Sequence, residues 1–104
     1  MTDRIQKIQE FLKAQPDDAF LQHALALEYI KMGDDTSARA LFEKILAAQP
    51  GYVGSYYHLA KLLERSGDQD EAVRCYERGM EAAKAAGDQH AFNELRSAWE
   101  ELTY

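Results

Sequence analysis

Three histidines, His23, His58 and His90, and one cysteine, Cys75, are the side chains best equipped for acid–base, metal or nucleophilic chemistry. Three imidazoles suit a divalent cation while neutral and an anion once charged, below about pH 6.5. A thiol needs a nearby base to act as a nucleophile, and none stands at a recognisable spacing from Cys75. On a helix beside Tyr76, it is expected to be a small, semi-buried hydrophobe. A single cysteine also excludes an internal disulfide and a multi-cysteine zinc site. Paired carboxylates occur at Asp17-Asp18 and Glu100-Glu101, but neighbouring helix residues point about 100° apart and make poor acid–base partners. There is no Gly-rich phosphate loop, no GxSxG elbow and no HExxH. The expectation is a protein without catalysis and without a cofactor.

The elements that carry these residues are helical. Alanine occurs sixteen times and leucine eleven, whereas Val, Ile and Thr together occur nine times. Helices favour the first group and sheets the second. No stretch keeps a period-two alternation. The 104 residues suffice for one domain, and 46% hydrophobic residues are enough to fold it. A net charge of −6 gives no footprint for a phosphate backbone, so nucleic acid is not an expected partner. No uncharged run approaches the roughly 18 apolar residues of a membrane span. The polar start, Met-Thr-Asp-Arg, has no leader-like apolar core. A cytoplasmic protein is expected.

Punctuation reveals a period. Pro16 and Pro50 are 34 residues apart, and so are Gly33-Asp34 and Gly67-Asp68. The same offset superimposes Leu25 on Leu59, Ala26 on Ala60, Ala38 on Ala72, Phe42 on Tyr76 and Leu46 on Met80. A fixed period decides the architecture. Within each unit apolar residues recur at helical spacing, first over 19–32 and 53–66, then over about 34–48 and 70–86. Gly33 and Gly67 suit the left-handed residue that ends a helix, and the aspartates after them suit the N-cap of the next. A further helix is expected at 3–14, and Gly87-Asp88 opens another at 89–103. That makes six.

A 34-residue helix–turn–helix unit with these residues resembles the tetratricopeptide repeat. The first unit (19–50) carries its signature as Leu25, Ala26, Tyr29, Gly33, Ala38, Phe42 and Pro50. The second (53–86) carries Tyr56, Leu59, Ala60, Leu63, Gly67, Ala72 and Tyr76. The resemblance implies an all-α, right-handed superhelical stack of antiparallel helix pairs across 1–104, with capping helices at 3–14 and 89–103. Departures are Gln22 in a bulky slot, Ile45 and Gly79 in a slot that prefers alanine, and Lys84 where proline is expected. Without that proline the fourth paired helix can run through Ala86. A two-residue insertion places Phe92, Leu95 and Trp99 in the signature slots of the last helix. Arg96, Glu100 and Glu101 then give it the polar outer face of a solenoid end. The chain is expected to be complete.

The resemblance also implies that the first helix of each unit lines a concave surface for a partner peptide or helix. The lining positions are Phe20, His23, Leu27, Ile30 and Lys31, then Tyr57, His58, Lys61, Glu64 and Arg65. The last helix adds His90, Asn93, Glu94, Ser97 and Glu101. Phe20, Leu27 and Tyr57 would hold an apolar anchor. Lys31, Lys61 and Arg65 would form a basic middle for an acidic or C-terminal carboxylate group. Some family members clamp such a carboxylate with Lys and Asn on the first two lining helices and Lys and Arg on the third. Here His23, His58 and His90 take three of the five slots, with Leu27 and Glu94 in the other two. That clamp is therefore absent. Three solvated histidines are expected, with a pH-dependent anion site and a metal site as the alternatives. The expected function is a non-catalytic protein–protein interaction module. The alternative is a scaffold unit that self-associates, as a weak homodimer, through the groove or its last helix.

Overall fold

The computed structural model describes residues 2–104 and contains, among them, six α-helices and no strand. They are α1 (Thr2–Ala14), α2 (Ala19–Lys31), α3 (Asp35–Ala48), α4 (Gly54–Arg65), α5 (Gln69–Ala86) and α6 (Gln89–Thr103). Met1 of the polar start lies outside the described residues. Helix bounds follow the sequence pattern to within about one residue. One difference is at α4, which starts at Gly54 after a Val53 that makes no side-chain cap.

Aspartates start the other paired helices. Asp18, Asp34, Asp68 and Asp88 each accept from the backbone N–H three residues on, at 3.0 to 3.3 Å. Each satisfies an amide that the helix itself leaves unpaired. The preceding helices α2, α4 and α5 end the same way, through Gly33, Gly67 and Gly87 at φ of 80°, 86° and 70°. The amides of Asp34, Asp68 and Asp88 then close back on the carbonyls of Tyr29, Leu63 and Ala83, each at 2.9 Å. The chain is thereby reversed after α2, α4 and α5 by connections of two or three residues. Links this short make antiparallel neighbours.

Every helix packs on its chain neighbour. At the closest approach inside each pair, Ala26, Ala38, Ala60 and Ala72 are fully buried. Phe42, Ile45, Leu63, Tyr76 and Leu95 fill the main core around them. A smaller cluster of Ile5, Ile8 and Leu25, with Leu12, Tyr29 and Leu41 against it, holds α1 to the stack. Phe11 is 62% exposed, because it falls off the Ile5–Ile8–Leu12 stripe of α1. With Lys84 in place of proline, α5 does run on through Ala86 and reaches 18 residues, against 14 for α3.

Candidate functional site

Repetition brings α2 and α4 side by side, and the first contact between them is aromatic. The rings of His23 and His58 lie 5.4 Å apart, edge to face. His23 also meets the edges of Phe42 at 5.4 Å and Tyr52 at 5.8 Å. His58 stacks nearly parallel to Phe42. The Nδ1 of His23 and the hydroxyl of the fully buried Ser55 share a hydrogen bond of 2.9 Å. Burial depresses both histidines below their ordinary value. His58 lowers His23 further, while the Glu94 carboxylate opposes the shift at His58. Both are therefore neutral at pH 7.

This corrects the expectation of three solvated histidines for two of them. His23 and His58 are half-buried, and only His90 stands in solvent. The physical reason is the seam between units, where Phe42 and Tyr52 arrive from α3 and the 49–53 turn. An edge-to-face pair does not aim two ring lone pairs at one point. Among the described residues no set of three His, Cys, Asp or Glu side chains gathers as metal ligands.

Tyr57 is the centre of the next cluster. Its ring touches His58 at 5.8 Å and Tyr76 at 6.4 Å, and the Lys61 ammonium lies 5.5 Å from its centroid. Lys61 also reaches Glu64 at 3.6 Å, and Glu64 accepts the hydroxyl of Tyr76. Burial and that carboxylate push the Tyr76 phenol far above its ordinary value, so it stays a donor.

The three cations of the expected basic middle each have a carboxylate partner within the chain. Lys31 pairs with Glu28 at 3.1 Å, and Arg65 grips both carboxylate oxygens of Asp35 at 3.0 and 3.2 Å. Together with Lys61–Glu64, all three cations expected to meet an acidic ligand are already engaged by this chain. Glu28 is shared with Arg4 at 3.0 Å, and the Lys31 and Arg4 contacts hold its carboxyl below its ordinary value. The apolar part of the face fares better. Phe20 is 71% exposed, and Leu27 and Tyr57 are half-buried. On α6, His90 is exposed, and Asn93 accepts from Gln89 at 2.9 Å. The structure thus gathers His23, Tyr57, His58 and Lys61, and leaves Lys31, Arg65, His90 and Asn93 apart from that cluster.

The site residue that sequence reasoning missed is Ser55. A serine in a first helical turn gives the sequence no sign of burial. A groove of about 560 Å³ between α5 and α6, floored by Met80, Phe92 and Trp99 under Arg74, Arg78 and Lys84, was also not foreseen as a cavity. Trp99 donates from its indole N–H to Glu77 across it, at 3.1 Å. Cys75 is fully buried, and its thiol is pushed up to about 11 by burial, which removes it as a nucleophile at pH 7.

Paired helices of 34-residue period with alanines at each crossing define a helical repeat module. The family signature of the tetratricopeptide repeat matches residues 29–98. The chain belongs to that family, whose domains mediate protein–protein interaction. It is similar to a tetratricopeptide repeat domain protein of Salinibacter ruber, with 41% identity, over 82% of this chain and 94% of that one, at a TM-score of 0.80. It is also similar to BPP2914 of Bordetella parapertussis, at 26% identity and a TM-score of 0.81, over 94% of this chain and 85% of that one. Among curated proteins it is 34% identical over 61 residues to the tetratricopeptide repeat and J domain-containing co-chaperone DNJ1 of Fusarium oxysporum. That match covers 59% of this chain and 12% of the co-chaperone's length. Among the described residues no helix is long and apolar enough to cross a membrane.

Proposed function

We propose that the protein is a non-catalytic interaction module that seats a peptide or helix of a partner protein on the face formed by α2, α4 and α6. The observation that carries this reading is Phe20, a large apolar side chain 71% exposed at a lining position, with Leu27 and Tyr57 half-open on the same face. An apolar patch built from several such residues is the kind of surface that a partner covers. The internally paired cations argue that the anchor is apolar and that a carboxylate clamp is not the main attraction.

Capture of partners from an extract of the native cell, with Phe20→Ala and Tyr57→Ala as controls, tests the face. Loss of the same bound protein with both variants supports it. Retention by both removes the α2/α4/α6 face as the site. One observation favours the second reading, self-association through the last helix: the α5–α6 groove with Met80, Phe92 and Trp99 on its floor. Sedimentation across micromolar concentrations separates the two, because a dimer through this groove dissociates on Trp99→Ala, whereas a monomer throughout excludes it.

A further inference from the structure

One imidazole from each repeat meets the other where α2 and α4 join, and neither is spent on the packing signature of the repeat. We propose that His23 and His58 form a proton-sensitive joint between the two repeats: neutral, the pair closes the α2–α4 seam, and protonated, it opens it. This goes beyond partner binding and stands whether or not the α2/α4/α6 face takes a ligand.

The geometry carries the argument. Two rings 5.4 Å apart, edge to face, pack well only while at least one is uncharged. Their surroundings supply little to solvate two charges. From α3 comes Phe42, in contact with both rings, and from the 49–53 turn comes Tyr52, against His23. From α4 come Ser55, which is bonded to His23, and Tyr57, whose outer side is occupied by Lys61. The start of α2 brings Asp18, which acts on Tyr52, and α6 brings Glu94, which acts on His58. Glu94 and the face of Phe42 can support one imidazolium at His58. A second charge at His23 then meets repulsion from the first. The pair should take up its protons in two coupled steps.

The sign follows from the lowered values of both groups. Folding keeps the pair neutral, so the unfolded chain binds protons first as pH falls. Stability is therefore full above the ordinary imidazole value of about 6.5 and declines below it, until the folded pair is itself protonated.

The test is an NMR titration of the imidazoles and backbone amides of the full chain from neutral to mildly acidic pH. His23 and His58 are expected to titrate below the ordinary imidazole value of about 6.5. The amides of residues 52–55 should move together with this pair, and small-angle scattering should report a radius of gyration larger than at neutral pH. His58→Phe keeps a ring on Phe42 and should abolish the response of the seam. Glu94→Gln alters an exposed side chain, spares the fold, and should move the His58 midpoint further down. His23 and His58 midpoints at the ordinary value, seam amides that stay still while the rings titrate, or a His58 midpoint indifferent to Glu94→Gln would overturn the joint. If His58→Phe does not fold, Glu94→Gln with the wild-type titration decides the matter.

Discussion

The α2/α3 unit and the α4/α5 unit obey one plan with different volumes. In the first, the side-chain amide of Gln22 donates to the carbonyl of Pro16 at 2.8 Å. In the second, Tyr56, 34 residues on, donates from its hydroxyl to the carbonyl of Pro50. The bond is repeated while the side chain is exchanged. A compensating exchange occurs across the pair. Where the first unit has a buried Ile45, the second has Gly79, and a Cβ built there would stand 2.7 Å from the Cβ of Tyr56. The larger ring of Tyr56 on α4 is accommodated by the missing side chain of Gly79 on α5. A repeat thus keeps its glycine turns and the bond to its proline carbonyl more strictly than any one side chain.

Substitutions at these equivalent positions should break the comparison in opposite ways. Ile45→Ala removes a side chain that is 1% exposed and leaves a void, so unfolding in urea should show a loss of about 2–5 kcal/mol. Gly79→Ala adds one carbon at the matching position. In an open helix that change stabilises by about 0.5–1 kcal/mol. Here the atom it meets is the Cβ of Tyr56, which moves only with the backbone, and a net loss of about 1–3 kcal/mol is expected. A rise in thermal midpoint for Gly79→Ala would refute the volume exchange.

Caps should behave alike where volumes do not. Asp34→Ala and Asp68→Ala remove equivalent hydrogen bonds at 3.1 and 3.3 Å, and each should cost about 1 kcal/mol, measured by the same denaturation. A several-fold difference between them would show that the two units do not share one frame. The smallest effect belongs to Arg65→Ala. Its bidentate grip on Asp35 lies at an exposed edge, so the loss should stay within about 1 kcal/mol and shrink in salt. Lys31, the equivalent residue of the first unit, turns to Glu28 on its own helix, whereas Arg65 reaches across the junction of the two units from α4 to Asp35 of α3.

Helices, caps and period were legible because they are local or periodic. An aspartate after Gly33 or Gly67 states its role within three residues, and an offset of 34 shows itself without coordinates. The charges of the face were half legible. Lys31–Glu28 and Lys61–Glu64 lie three apart on one helix, a spacing that permits pairing but does not compel it. Arg65 and Asp35 are 30 residues apart and meet only after folding. His23 and His58 were read as solvated, and the structure half-buries both. Their burial comes from Phe42 and Tyr52, which belong to the second helix and to the turn and are invisible to a pattern read along α2 or α4.

Cys75 has a use as a gauge. Its sulfur is sealed between α4 and α5, donating to the carbonyl of Tyr56, and its thiolate is suppressed by burial. A thiol reagent therefore reacts at the rate of a free thiol multiplied by the fraction of time this helix pair is parted. Because the chain holds one cysteine, the signal has one source. Labelling followed over hours would measure the open fraction of the second unit from within a population that is almost wholly folded.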